Sequence, residues 1–278
     1  MQEPAHTQEV AESEHPGPAR RFGLHGRVAL VTGGAGAIGS AVCVALAEHG
    51  ADVAVTDLAE GPPAEVAGRV RALGRGACSL ACDARQPEQV KQAVARTVGE
   101  LGRIDILIHT AGYGVLNPLA EMSLEDFEEN LRAFLISAFL LSQAVGTTMI
   151  RQGTGGSIVH ISSIASARAL GRGTGAYAAA KAGLNALVRE LAVEWGPHGI
   201  RVNAVAPCQV NTPSLARLLD SGLHGGRDAL VDRMVSRIPL GRLGEPEEIA
   251  RCVTFLAAEQ SGFINGSTIS ANGAQFFV

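Results

Sequence analysis

Tyr177 and Lys181 stand four residues apart in the segment YAAAK, and on a helix that spacing puts both side chains on one face. An ammonium beside a phenol favours phenolate and draws the tyrosine pKa from about 10 toward neutrality, as a group that both takes and gives a proton near pH 7 requires. Ser163 closes Ile161-Ser162-Ser163 at the end of an apolar run, and its hydroxyl can hydrogen-bond an oxygen whose charge changes in a reaction. A tyrosine and a lysine four apart are common on solvated helices, so the pair alone carries little weight.

A second constellation lies at the other end of the chain. TGGAGAIG, residues 32–39, satisfies a GxGxxG spacing as Gly34, Gly36 and Gly39. Between a strand and a helix, such a turn lets backbone N–H groups and the positive helix end face a pyrophosphate that bulky side chains would block. A purely structural turn reads the same way. Asp57, 18 residues after Gly39, sits near the spacing at which a strand-end carboxylate accepts from the adenosine ribose hydroxyls. A carboxylate there repels a 2′-phosphate, and neither the turn nor the residues just after Asp57 carry Arg or Lys, so NAD is favoured over NADP. Asp83 in ACDAR is placed either to reach the adenine edge or to cap a helix beginning near Pro87.

These residues need a frame that aligns them. Apolar runs at Val28–Val31, Val53–Thr56, Ala77–Cys82, Ile104–His109, Ser157–Ile161, Val202–Ala206 and Thr268–Ser270 read as strands. Between them Gly39–Gly50, Pro63–Leu73, Pro87–Leu101, Ser123–Arg151, Ala176–Gly196 and Pro246–Ala258 carry helical spacing. The alternation predicts βαβ units and an α/β fold: a Rossmann-type, doubly wound, seven-stranded parallel sheet in three α/β/α layers, as a single domain over residues 23–278. Thr32, Asp57, Asp83, His109 and Ser163 all fall at carboxyl ends of those strands, where an open sheet binds its ligand. The stretch 212–240 breaks the rhythm and reads as a substrate flap.

Composition agrees and excludes several classes. Hydrophobic residues are 46% and aromatics 4%, with 34 glycines, which suits sheet closely covered by helices. The net charge of −4 comes without a basic block, so neither a nucleic-acid nor an anionic-membrane surface is predicted. Five cysteines without a CxxC pair read as free thiols in a reducing cytoplasm. Cys78 and Cys82 with Asp83 lack further ligands, so no metal is expected. Residues 1–22 are polar and acidic without an apolar core, and are expected to be a disordered tail. Apolar stretches such as Leu131–Val145 are interrupted by Arg132, Ser137 and Ser142, and no membrane span is expected.

The whole pattern resembles the short-chain dehydrogenase/reductase family over roughly residues 24–274. TGGAGAIG, Asp57, AG at 111–112, ISS at 161–163, YAAAK, IRVNAVAP at 200–207 and GRLGEPEEIA at 241–250 occur in the family's order. The resemblance implies hydride transfer between a nicotinamide and a secondary alcohol or ketone in a homotetramer or dimer. It implies Tyr177 as acid/base, Ser163 as orienter of the reacting oxygen, and Lys181 as partner of the tyrosine and the nicotinamide ribose. It further implies a dinucleotide lined by Gly33, Gly36, Ala37, Ile38, Gly39, Asp57, Leu58, Asp83, Ala84, His109, Ala111, Gly112, Pro207, Val210 and Thr212.

Three departures from the family qualify this. Ala37 replaces a turn glycine, and HTAG at 109–112 replaces NNAG, so that His109 and Thr110 stand for two asparagines. Phe134 falls where an asparagine usually holds the water of a proton relay. Asn130, one helical turn earlier, is predicted to be a surface residue. His109, titrating near neutrality, could serve another water route, although a structural hydrogen bond is the stronger reading for a strand-end histidine. The departures leave open an NAD-binding sensor of the same fold with weak or no turnover. A small-molecule substrate is expected to border Ser163, Ile164, Cys208, Gln209, Asn211 and the flap around Leu215–Leu219, with Arg168 and Arg217 reading as solvated. The C-terminal QFFV suggests a subunit contact.

Overall fold

The computed structural model describes residues 23–59, 61–171, 173–213, 215–216 and 227–275. Seven parallel strands form one sheet: β1 Val28–Thr32, β2 Asp52–Asp57, β3 Ala77–Ala81, β4 Ile106–His109, β5 Gly156–Ile161, β6 Ile200–Pro207 and β7 Thr268–Ala271. Their order is β3-β2-β1-β4-β5-β6-β7. The chain walks outward from β1 in one direction, returns at β4 and walks the other way, which leaves a crevice beyond the carboxyl ends of β1 and β4. Eight helices connect the strands among the described residues: α1 Ala37–Glu48, α2 Gly61–Ala72, α3 Pro87–Leu101, α4 Leu124–Leu131, α5 Ser137–Gln152, α6 Gly175–Trp195, α7 Arg227–Val235 and α8 Pro246–Ala257.

Successive strand residues feed opposite faces of the sheet. Ala29 and Val31 of β1 join a core with α1, α2 and α8, built on Val42, Leu46, Val66, Val70, Val253 and Leu256. Leu30 between them joins the other core, with Val94 of α3, Leu141 and Val145 of α5, and Leu184 and Val188 of α6. β1 and β4 are buried along their whole length, hence the unbroken apolar runs in the sequence.

The segment predicted as one helix over Ser123–Arg151 is broken. Ser123 caps α4, its Oγ accepting from the Asp126 N–H at 3.0 Å, but Arg132–Ile136 then forms a π-helical turn before α5 begins. One extra residue in that turn rotates the following side chains out of the α-helical phase. By length and mean hydropathy the run Leu124–Gln152 could cross a bilayer, yet half of its most apolar window is buried within the fold. Of the predicted flap, α7 is described and buries Leu230 and Met234 against Leu215 and Val231. Residues 217–226, with Arg217, lie outside the described residues, as do the tail 1–22 and the last three residues, 276–278.

The interior also holds two histidines, His109 of β4 and His160 of β5, register partners whose rings meet edge to face at 5.6 Å. His160 Nε2 meets Ser142 Oγ at 3.0 Å. Burial first, and the nearby Lys181 second, hold its pKa down at about 3. The unfolded chain therefore takes up a proton at His160 near pH 6.5 while the folded chain refuses it. Stability from this group is present above pH 6.5 and is lost as the pH falls toward 3, by about 1.4 kcal/mol per unit. In urea melts between pH 7 and 4, His160→Gln should flatten the acid loss of stability at a modest cost at pH 7. An unchanged slope would show that other groups govern it.

Candidate active site

Lys181 of α6 is the anchor. The parallel register brings the end of β5 under that helix, and Lys181 Nζ donates to the Ile161 carbonyl at 2.7 Å. The residue is 6% exposed, and among the described residues no carboxylate pairs with it. Burial alone draws its pKa down to about 7. Tyr177 lies one turn earlier, with Lys181 Nζ 5.7 Å from its ring centroid.

The phenol behaves otherwise than the spacing predicts. Burial pushes its pKa up, and the hydrogen bond with Ser163 only partly offsets this. Burial outweighs what the neighbouring groups offer the phenolate, so Tyr177 keeps its proton at pH 7. Ser163, buried at the end of β5, opens a 3-10 turn over Ile164–Ser166 and accepts from the Ala165 N–H at 3.1 Å. A relay of short bonds fixes this strand end. Ser162 Oγ donates to Asn185 Oδ1 at 2.7 Å, Asn185 Nδ2 donates to Ser166 Oγ at 2.8 Å, and Ser166 Oγ donates to the Ser163 carbonyl at 2.6 Å. Nothing in the sequence spacing singles out Asn185, which sits on α6 one turn beyond Lys181.

Two readings of the neighbouring residues are corrected. Asn130 is fully buried, its Nδ2 donating to the carbonyls of Val115 at 3.0 Å and Asp126 at 2.8 Å. It is not a surface residue, because the loop after β4 folds back over α4. His109 does not titrate near neutrality: burial, His160 and Lys181 hold it neutral. Ser137 Oγ donates to the Ala133 carbonyl at 2.8 Å and so accepts from His109 Nε2–H at 3.1 Å, which leaves Nδ1 to accept from Thr32 Oγ1 at 2.7 Å. Both ring nitrogens are spent inside the protein, so the imidazole ties β1 to α5. Thr110 supplies the adjacent link, donating to the carbonyls of Thr32 and Gly33.

The glycine turn has the shape a phosphate cradle needs. Gly33 adopts a positive φ of 67°, with Ala111 N only 2.7 Å from where its Cβ would be. A Cβ on Gly39 would run into the Gly33 carbonyl. Gly36 caps α1 with no side-chain bond to the first helical N–H groups, so Ala37 and Ile38 present the open helix end. Asp57 Oδ2 accepts from the Ala35 N–H at 3.0 Å and Oδ1 from the Leu58 N–H at 2.8 Å, fixing the carboxylate beside the turn. These residues fit the pyrophosphate and ribose of a dinucleotide. Asp83 does not cap α3, whose N-cap is Gln86. Arg85 instead forks onto both Asp83 oxygens at 2.8–2.9 Å and holds the carboxyl below its usual range. An adenine approaching Ala84 there would share that carboxylate with the guanidinium.

At the substrate side, Ile164 is 2% exposed, its side chain withdrawn into the core. Cys208 and Gln209 are half-buried beyond β6, and burial pushes the Cys208 thiol up, against a nucleophilic role. Gln209 Oε1 is buried without a partner among the described residues. Pro207 ends β6, and Val210 is buried where it bridges to Gly244. Thr212 Oγ1 accepts from the Leu215 N–H at 3.2 Å. Arg168 is not simply solvated, since it donates to the Gln275 carbonyl. Cys78 and Cys82 are buried thiols pushed up to about 11, the reverse of what a thiolate metal ligand needs.

Comparison with known proteins places these features in context. The family described as enoyl-(acyl carrier protein) reductase matches residues 33–273. The chain is 40% identical to D-threitol dehydrogenase of Mycolicibacterium smegmatis, over 91% of this chain and 94% of that protein. It is 33% identical to L-rhamnose 1-dehydrogenase (NAD(P)(+)) of a Sphingomonas species, over 91% and 97%. Its fold superposes with a TM-score of 0.86 on a 7α-hydroxysteroid dehydrogenase complexed with NADH and 7-oxo glycochenodeoxycholic acid, at 29% identity over 92% of this chain and 96% of that one.

The turn geometry makes a sharp contrast. A Cβ at Gly36 would meet only the Gly33 carbonyl oxygen, at 3.2 Å, whereas at Gly39 it collides with backbone. Gly39→Ala should cost about 2–4 kcal/mol in urea denaturation, and Gly36→Ala well under half of that. Equal costs would mean the turn relaxes around either methyl group.

Proposed function

The chain belongs to the short-chain dehydrogenase/reductase family, and from that membership we propose that it is an NAD-dependent oxidoreductase interconverting a secondary alcohol and a ketone, with Tyr177 as the acid/base. The observation that carries this reading is the convergence of Ser163, Tyr177 and Lys181 at the carboxyl end of β5, with Lys181 Nζ fixed on the Ile161 carbonyl and the serine near enough to the phenol to draw its pKa down against the effect of burial.

A bound nicotinamide would supply or accept the hydride. The chain's own residues handle the proton and the oxygen. In ketone reduction Tyr177 gives its proton to the carbonyl oxygen while Ser163 donates a hydrogen bond to it; in alcohol oxidation the phenolate takes the hydroxyl proton back. Lys181, fixed by Ile161 beside the tyrosine ring, would hold the ribose of a bound nicotinamide through a remaining N–H. Asp57 supports NAD over NADP, because its carboxylate beside the glycine turn opposes a 2′-phosphate. The sugar and polyol substrates in the relatives' names favour a small hydroxylated substrate, and the amides of Gln209 and Asn211 beyond β6 suit one. Free buried thiols agree with a cytoplasmic protein. The exposed side chains of Ile136 and Phe139 on the helical run before α6 favour a homo-oligomer.

Fluorescence titration should show NADH binding at least tenfold tighter than NADPH, with Asp57→Asn narrowing the gap; equal affinities would remove the NAD assignment. Tyr177→Phe should abolish turnover of an alcohol and ketone panel, with a loss of about two to four powers of ten, while NADH binding stays within about threefold of wild type. Full activity in that variant would overturn the acid/base role. Because burial keeps the phenol protonated across neutrality, reduction should fall as pH rises and oxidation should climb on the alkaline side. Identical profiles in the two directions would count against Tyr177 as the proton carrier.

A further inference from the structure

We infer that Phe134 is a positioning residue for the Tyr177–Lys181 pair: its ring receives the Lys181 ammonium and braces the tyrosine ring, doing for a buried cation what a carboxylate does elsewhere. This rests on the acid/base reading of Tyr177. Lys181 Nζ lies over the Phe134 ring, 4.6 Å from its centroid. The Phe134 and Tyr177 rings stand nearly perpendicular, 82° apart with centroids at 4.9 Å. The ammonium thus sits between one carbonyl, that of Ile161 at 2.7 Å, and one aromatic ring, with a second ring at 5.7 Å. An aromatic ring's negative face attracts a desolvated cation, and perpendicular ring contact is a favoured and directional geometry. Both rings together fix where Nζ and the phenol point.

The placement of this ring is built into the backbone. Phe134 is the middle residue of the π-helical turn Arg132–Ile136, and it packs with Ala133, Ala180, Leu131 and Leu135 in a small cluster of its own beside Tyr177. Gly112 and Gly114 of the loop after β4 close on it, since a Cβ at either would strike the ring. The titratable groups facing the ammonium are few. His109 from β4 and His160 from β5 lie below it, both neutral, and Tyr177 lies beside it on α6. Arg132, the charged residue of the π turn, is exposed and bonds Glu128 at 3.1 Å. Aromatic support is therefore the main compensation that the surroundings offer the charge besides the Ile161 carbonyl.

The sequence makes this directly measurable, because it contains two lysines, Lys91 and Lys181, and Lys91 is an exposed partner of Glu88. With lysine labelled by carbon-13 at Cε, Lys181 titrates as one of two resonances. Phe134→Leu keeps an apolar side chain and removes the ring, whereas Phe134→Tyr keeps the ring. In F134L the Lys181 midpoint should fall by about half a pH unit or more. Turnover should drop by about three- to tenfold, with KM for NADH within about threefold, and the acid-side displacement of the Lys181 midpoint should be echoed in the pH profile of kcat. F134Y should restore the midpoint and most of kcat. A wild-type Lys181 midpoint in F134L, or a midpoint in F134Y displaced as far as in F134L, overturns the proposal. Should F134L not fold, Phe134→Met carries the same comparison. If the wild-type protein turns over no alcohol or ketone, the proposed activity fails, while the lysine titration still decides whether Phe134 supports the ammonium.

Discussion

A lysine ammonium buried against a backbone carbonyl is the constraint around which this structure is arranged. Removing a cation from water is costly unless donors and charge are met within the protein. Here the Ile161 carbonyl and two aromatic rings meet it in place of a carboxylate. That bond also joins α6 to the end of β5, and so fixes the tyrosine one turn earlier on the same helix relative to the strand-end serine. The site's geometry and its electrostatics come from a single contact.

The layer beneath is adapted to the same charge. His109 and His160 lie within its field and remain neutral, so no second cation competes with Lys181. Their hydrogen bonds to Thr32, Ser137 and Ser142 connect β1, β4 and β5 to α5. His109, whose stronger reading in the sequence is a structural hydrogen bond at a strand end, serves as a polar brace in the core. The π-helical turn between α4 and α5 belongs to the same adaptation. It points Phe134 inward, and the loop glycines 112 and 114 let backbone close over the ring.

At the cofactor side the determining constraint is steric. Gly39 packs on the Gly33 carbonyl, and Gly33 on Thr110 and the Ala111 backbone, so closely that neither tolerates a side chain, and the open start of α1 faces outward from that turn. Asp57 is tied to the same turn through the Ala35 N–H, so the carboxylate proposed to favour NAD is held by the loop that would hold the pyrophosphate.

Much of this was legible in the residues alone. Strand and helix periods, the strand-end positions of Thr32, Asp57 and Ser163, and the helical spacing of Tyr177 and Lys181 follow from local rules, because period and chain direction determine which side chains share a face or an end. Sequence could not decide what each polar group would meet. The direction of the Tyr177 shift, the burial of Asn130, the Arg85 fork on Asp83 and the neutral state of His109 depend on desolvation and on partners 2 to 77 residues away. Nor did the 3.6-residue period of the segment after Ser123 reveal a π turn, since one inserted residue leaves the apolar pattern nearly intact while redirecting Phe134. Tertiary packing alone sets dielectric surroundings and side-chain neighbours, and those two quantities decide the electrostatics of the site.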